Sequence, residues 1–104
     1  MTIPVQTVKS SDGYPIQAAH FDTSTAVYLD GTSAAANGDS ATRELFVRIT
    51  ADEMNACWVY VGVDAVAVSE EGALINAGAT EYTTIRTGER LSVIGGKLNV
   101  VICD

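Results

Sequence analysis

The stretch Arg43-Glu44-Leu45-Phe46-Val47-Arg48-Ile49-Thr50 decides the fold. Leu45, Val47 and Ile49 recur at every second position and share one face, while Glu44, Arg48 and Thr50 fall on the other together with Phe46. Side chains alternate across an extended chain with a period of two, so the segment reads as a strand with one face turned to a core. A helix would spread the same apolar residues around its circumference. Cys57-Trp58-Val59-Tyr60-Val61-Gly62 repeats the pattern, with Cys57, Val59 and Val61 on one side and Trp58 and Tyr60 on the other. Whichever of those two faces is not the inner one must meet a neighbouring loop or another subunit.

Working outward, strands are expected at 73–76, 81–87, 90–94 and 97–103, the last two joined by Gly95-Gly96, which reads as a two-residue hairpin turn. Towards the N-terminus short strands are expected at 3–8, 16–20 and 25–29, separated by the turn chemistry of Ser10-Ser11-Asp12-Gly13 and of Asp30-Gly31. The small residues of 31–40 have no apolar anchor and read as an exposed loop. No segment carries a helical pattern, and nothing repeats at a fixed period. About eight short strands without intervening helices leave a sandwich, a jelly roll or a small barrel. The expectation is an all-β, antiparallel, jelly-roll-like β-sandwich forming a single domain over 1–104, with 1–12 as an N-terminal arm.

A chain of 104 residues is long enough to bury one core. Hydrophobic residues are 47% and charged residues 18%, too apolar for a disordered chain and poor in charge for a surface that meets only water. The formal charge of -7, with its few basic residues scattered, argues against a grip on nucleic acid, which needs a positive stripe. No stretch is long and apolar enough to span a bilayer, and the N-terminal residues do not form a secretory or transit signal. Cys57 and Cys103 lack metal-type spacing and read as small buried hydrophobes.

Residues that carry chemistry are sparse. The single histidine, His20, stands near Asp22 without a nucleophile motif, and a hydrogen-bonded residue at a strand end is its plainer role. Asp52-Glu53 and Glu70-Glu71 could be offered as metal ligands or paired acids, but strand neighbours point to opposite faces and solvated loops suit them better. Trp58, Tyr60, Tyr28 and Tyr82 could line a platform for stacking sugars or pack inside. The reading is therefore a binding protein rather than an enzyme, with no cofactor or metal.

From Leu45 to the C-terminus the chain carries a further pattern: Leu45-Phe46-Val47-Arg48-Ile49-Thr50-Ala51, Cys57-Trp58-Val59-Tyr60-Val61-Gly62, Ala77-Gly78-Ala79-Thr80-Glu81-Tyr82, Thr87-Gly88-Glu89-Arg90-Leu91-Ser92-Val93-Ile94 and Gly96-Lys97-Leu98-Asn99-Val100. This resembles small structural proteins of tailed bacteriophages, and the insert 65–71 departs from the commoner form. The resemblance implies a jelly-roll-like capsid decoration or cement subunit, a homo-oligomer (dimer or trimer) on the virion surface. Its partner would be the major capsid protein, and the particle would be assembled in the host cytoplasm. A chain at -7 is better placed outside a shell filled with DNA than inside it. The residues expected to bind the partner are Ile3, Val5 and Val8, an arm able to add a strand to a neighbour's sheet edge, and Trp58 and Tyr60. The alternative is a carbohydrate- or receptor-binding module of a tail or head fibre, with Trp58, Tyr60 and Tyr82 as its platform.

Overall fold

The period-two segments become strands in the computed structural model, which describes residues 7–9, 15–17 and 20–103. Two short strands, β1 (Thr7–Lys9) and β2 (Pro15–Gln17), pair with each other. The remaining strands are β3 (Phe21–Asp30), β4 (Ala36–Asn37), β5 (Leu45–Ala51), β6 (Cys57–Gly62), β7 (Ala73–Ile75), β8 (Thr80–Ile85), β9 (Arg90–Ile94) and β10 (Lys97–Cys103). No helix occurs among the described residues. These eight strands form two antiparallel four-stranded sheets, ordered β3-β10-β5-β8 and β4-β9-β6-β7.

That order is a rolled ribbon. Within it β3 pairs with β10, β4 with β9, β5 with β8 and β6 with β7, so the chain is one long antiparallel hairpin bent back and forth between two layers. Rolling then brings β10 beside β5 and β9 beside β6, which closes each sheet. This is the jelly-roll winding, and the expected sandwich of about eight strands is present.

Both strands of the ribbon turn each corner together, and backbone bonds continue across the bend. At the first corner Gly31 N donates to Gly96 O and Gly95 N to Gly31 O, both at 2.9 Å. At the second, Gly38 N donates to Leu91 O at 2.7 Å and Ala41 N to Glu89 O at 2.8 Å. At the third, Gly78 N donates to Asp52 O at 2.8 Å and Ala51 N to Ala79 O at 3.1 Å. The Gly95-Gly96 hairpin expected from the sequence therefore does not form. Strands β9 and β10 lie in different sheets, and the glycines serve a corner where the backbones of Gly31 and Val93 touch. A β-carbon on Gly31 would collide with Val93 O, and Gly95 sits at φ 106°, so only glycine fits both needs.

The stretch 31–40, expected as an exposed loop, is instead laid along β9 and contains β4, with Gly31 buried. Strand β3 is also longer than expected, because a register shift opposite Val101 absorbs the polar residues Thr23 and Ser24 without ending the pairing. Between the sheets Val47, Ile49, Leu91, Val93, Leu98 and Cys57 form the core, each 3% exposed or less. Val47, Ile49 and Ala51 alternate with the half-buried Phe46, Arg48 and Thr50, as the opening stretch predicts.

Candidate functional site

The two outer faces of the sandwich differ in how they are finished. On the β3-β10-β5-β8 sheet, register sets Arg48 beside Val101 and Tyr82, and Cys103 between Phe21 and Phe46. Arg48 lies over the Phe21 ring at 4.8 Å and donates to Asn99 Oδ1 at 2.8 Å, and Phe46 stacks on Tyr82 at 5.6 Å. These contacts close the face around Arg48, and Val101 and Cys103 are buried there although neither belongs to the inner core.

On the other sheet Trp58 lies between Ile94 of β9 and Leu74 of β7, one apolar row across three strands. Tyr60 stands one step along the same face, opposite Ser92. Residues 63–72 then fold back over this face instead of making a tight turn. Three side-chain bonds fix them: Ala67 N donates to Ser92 Oγ at 2.8 Å, Arg90 Nε donates to Ala65 O at 2.8 Å, and Tyr60 OH donates to Glu71 Oε1 at 3.0 Å. Ser92 Oγ in turn donates to Asn37 Oδ1 at 2.6 Å, so one fully buried hydroxyl ties the loop to β4. The bond to Glu71, aided by partial desolvation, holds the Tyr60 phenol above its ordinary pKa. The Tyr60 ring also covers Gly72, where any side chain would collide with it.

Because Ala65 and Ala67 turn inward to make these bonds, Val66 and Val68 are left facing out at 51% and 46% exposure. They flank the point where the loop crosses Ser92, and Leu74, in the row with Trp58 and Ile94 on the same sheet, is 48% exposed. This side of the sandwich therefore exposes the aliphatic side chains of Val66, Val68 and Leu74, while Trp58 and Ile94 are half-buried. Sequence reasoning found Trp58 and Tyr60 but missed Val66, Val68 and Leu74. The alternation of small and β-branched residues in Ala65-Val66-Ala67-Val68 was the available signal.

Of the expected binding residues, Trp58 and Tyr60 thus share one face, although Tyr60 is partly spent on the loop. The platform of Trp58, Tyr60 and Tyr82 is not assembled, since Tyr82 projects from the outer face of the opposite sheet beside Phe46. Val8 lies in β1 opposite Ile16, so its backbone is paired within the chain; Ile3 and Val5 lie outside the described residues. Asp22 accepts from Ser24 N and Ser24 Oγ, at 3.2 and 2.6 Å, which occupies one oxygen of the carboxylate nearest in sequence to the exposed His20. Asp52 caps the turn after β5. Among the described residues no group of three or more histidines, cysteines or acids is placed to hold a metal ion.

The arrangement defines a two-sheet jelly roll with exposed aliphatic residues, Val66, Val68 and Leu74, on the side of Trp58. Comparison with protein-family models, with curated proteins and with solved structures yields no match.

Proposed function

We propose that this chain is a virion structural protein of a tailed bacteriophage, a capsid decoration subunit that binds the outer surface of the shell and stabilises it. The observation that carries the reading is the exposure of Leu74, Val66 and Val68, together with the half-buried Trp58 and Ile94, on the outer side of the β4-β9-β6-β7 sheet. Such a patch on a small domain is the kind of surface a partner covers. The sequence resemblance over residues 45–100 supplies the partner, a major capsid protein, and the charge of -7 suits the exterior of a DNA-filled shell. Many copies, each bound modestly and assembled as homo-oligomers, would together resist the parting of capsomers.

The test is co-sedimentation of the purified protein with undecorated shells, with thermal release of DNA as a second readout. Wild type should bind and raise the release temperature. Trp58→Ala and Leu74→Asp should fold yet bind at least about ten-fold more weakly, the loss expected of an aromatic anchor at an interface centre. Unimpaired binding by both variants would move docking off this face, and absence of the chain from purified virions by mass spectrometry would sink the capsid reading. Binding to a sugar array that disappears with Trp58→Ala would transfer the same surface to the receptor-binding alternative.

A further inference from the structure

The two sheets part between the edge strands β7 and β8, leaving a cleft of about 520 Å³. Its floor is apolar and buried, formed by Ile49, Val59 and Ile75. At its rim stand Val61, Thr83 and Glu81. Among the described residues β7 pairs only with β6 and β8 only with β5, so each rim keeps one edge of backbone N–H and C=O groups outside any ladder. Glu81 pairs in register with Ile49, which sets its side chain on the inner face of β8, above that floor. No hydrogen bond or ion pair holds its carboxylate among the described residues.

A carboxylate turned inward on an edge strand discourages like edges from pairing. Two copies joined through β8 would bring a Glu81 from each to the same inner face, in molecules that already carry -7 apiece. A second copy is thus a poor occupant. A basic segment is a good one, because the field of the whole chain draws it in and Glu81 meets its cation.

We propose that the cleft receives an extended segment of another protein in which a lysine or arginine alternates with aliphatic residues. The segment adds to the free edge of β8 through main-chain bonds. Every second side chain then points inward, so aliphatic groups cover Ile49, Val59 and Ile75 while the cation two positions away reaches Glu81. This site lies between the sheets, meets the outer face around Trp58 at Leu74 on its rim, and stands whether or not the capsid reading does.

The experiment uses the full chain, labelled with nitrogen-15, and the capped peptide Thr-Lys-Thr-Val-Thr-Val-Thr. Amide shifts should move along β8 and at Ile49, Val59 and Ile75, and exchange should slow at the β8 amides not bonded to β5. Glu81→Gln, an exposed change whose unaltered spectrum would show an intact fold, should weaken binding about five-fold, near the upper value of an exposed ion pair. The same peptide with glutamate for lysine should bind more weakly still. The proposal is overturned if millimolar lysine peptide moves nothing, if the shifts fall outside the cleft, or if Glu81→Gln binds as tightly as wild type.

Discussion

Asp52 shows how one residue sets a corner. Its carboxylate accepts from Asn55 N and Met54 N, each at 2.9 Å, while its backbone N–H donates to Lys97 O and its carbonyl accepts from Gly78 N. The two side-chain bonds, that to Asn55 first, hold the carboxyl below the ordinary aspartate range. A group depressed in this way stabilises the folded chain above its unfolded pKa of about 3.9 and loses that contribution as pH falls through the folded value. Asp52→Ala should therefore lower the urea midpoint near neutral pH, and its deficit should shrink as the pH drops below about 3.9. A deficit that stays constant into acid would mean that the residue acts through something other than its charge. At this scale the sequence was only half legible. Alternation placed Trp58 and Tyr60 on one face correctly, whereas the turn-capping of Asp52 was hidden behind its reading as a solvated acid, because a cap depends on loop geometry and leaves no periodic trace.

Among elements, the loop 63–72 and strand β4 depend on each other through Ser92. Its hydroxyl accepts from Ala67 and donates to Asn37, with no exposure to water. Ser92→Ala removes both bonds and strands the Ala67 N–H, at a cost of about 1–3 kcal/mol. The variant should remain folded with its loop released, which hydrogen exchange would report as faster exchange at Ala67 and at the β4 amides while β5 and β10 stay protected. Equal protection in the variant would mean that Arg90 and Tyr60 hold the loop unaided. Elements legible in the sequence were those with one buried face, above all β5, β6, β9 and β10. Strand β4 was not, because two residues between Ala35 and Gly38 carry no period and are held by β9 rather than by their own pattern. The Gly95-Gly96 corner misled for a related reason: glycine pairs signal a sharp change of direction, and only the partner crossover at Gly31 decides whether the chain turns back within a sheet or passes to the other.

For the whole molecule, the rolled ribbon separates positions that composition treats alike. Val47 lies between the sheets at 1% exposure, whereas Ser33 is exposed at the first corner. Val47→Asp buries an unpaired carboxylate and should cost more than about 4 kcal/mol, whereas Ser33→Asp should leave the thermal midpoint nearly unchanged. Equal stability of the two would place the core elsewhere. The cysteines give a sharper test of the topology. Cys57 sits in the core against Gly96 and the Lys97 carbonyl, at the start of β10, its thiol pushed up by burial and then by the Asp52 charge. Cys103 lies at the far end of the same strand and alternates to the outer face, beside Phe46. At about 3.3 Å per residue the strand separates them by roughly 20 Å, far beyond the roughly 7 Å between Cα atoms that a disulfide can span. Both thiols should therefore be silent towards Ellman's reagent in the native protein, titrate fully in guanidinium, and survive air oxidation without an internal bridge. A monomeric species on a non-reducing gel that had lost both thiols would bring the two ends of β10 together, and a jelly roll with the strand order β3-β10-β5-β8 and β4-β9-β6-β7 could not accommodate it.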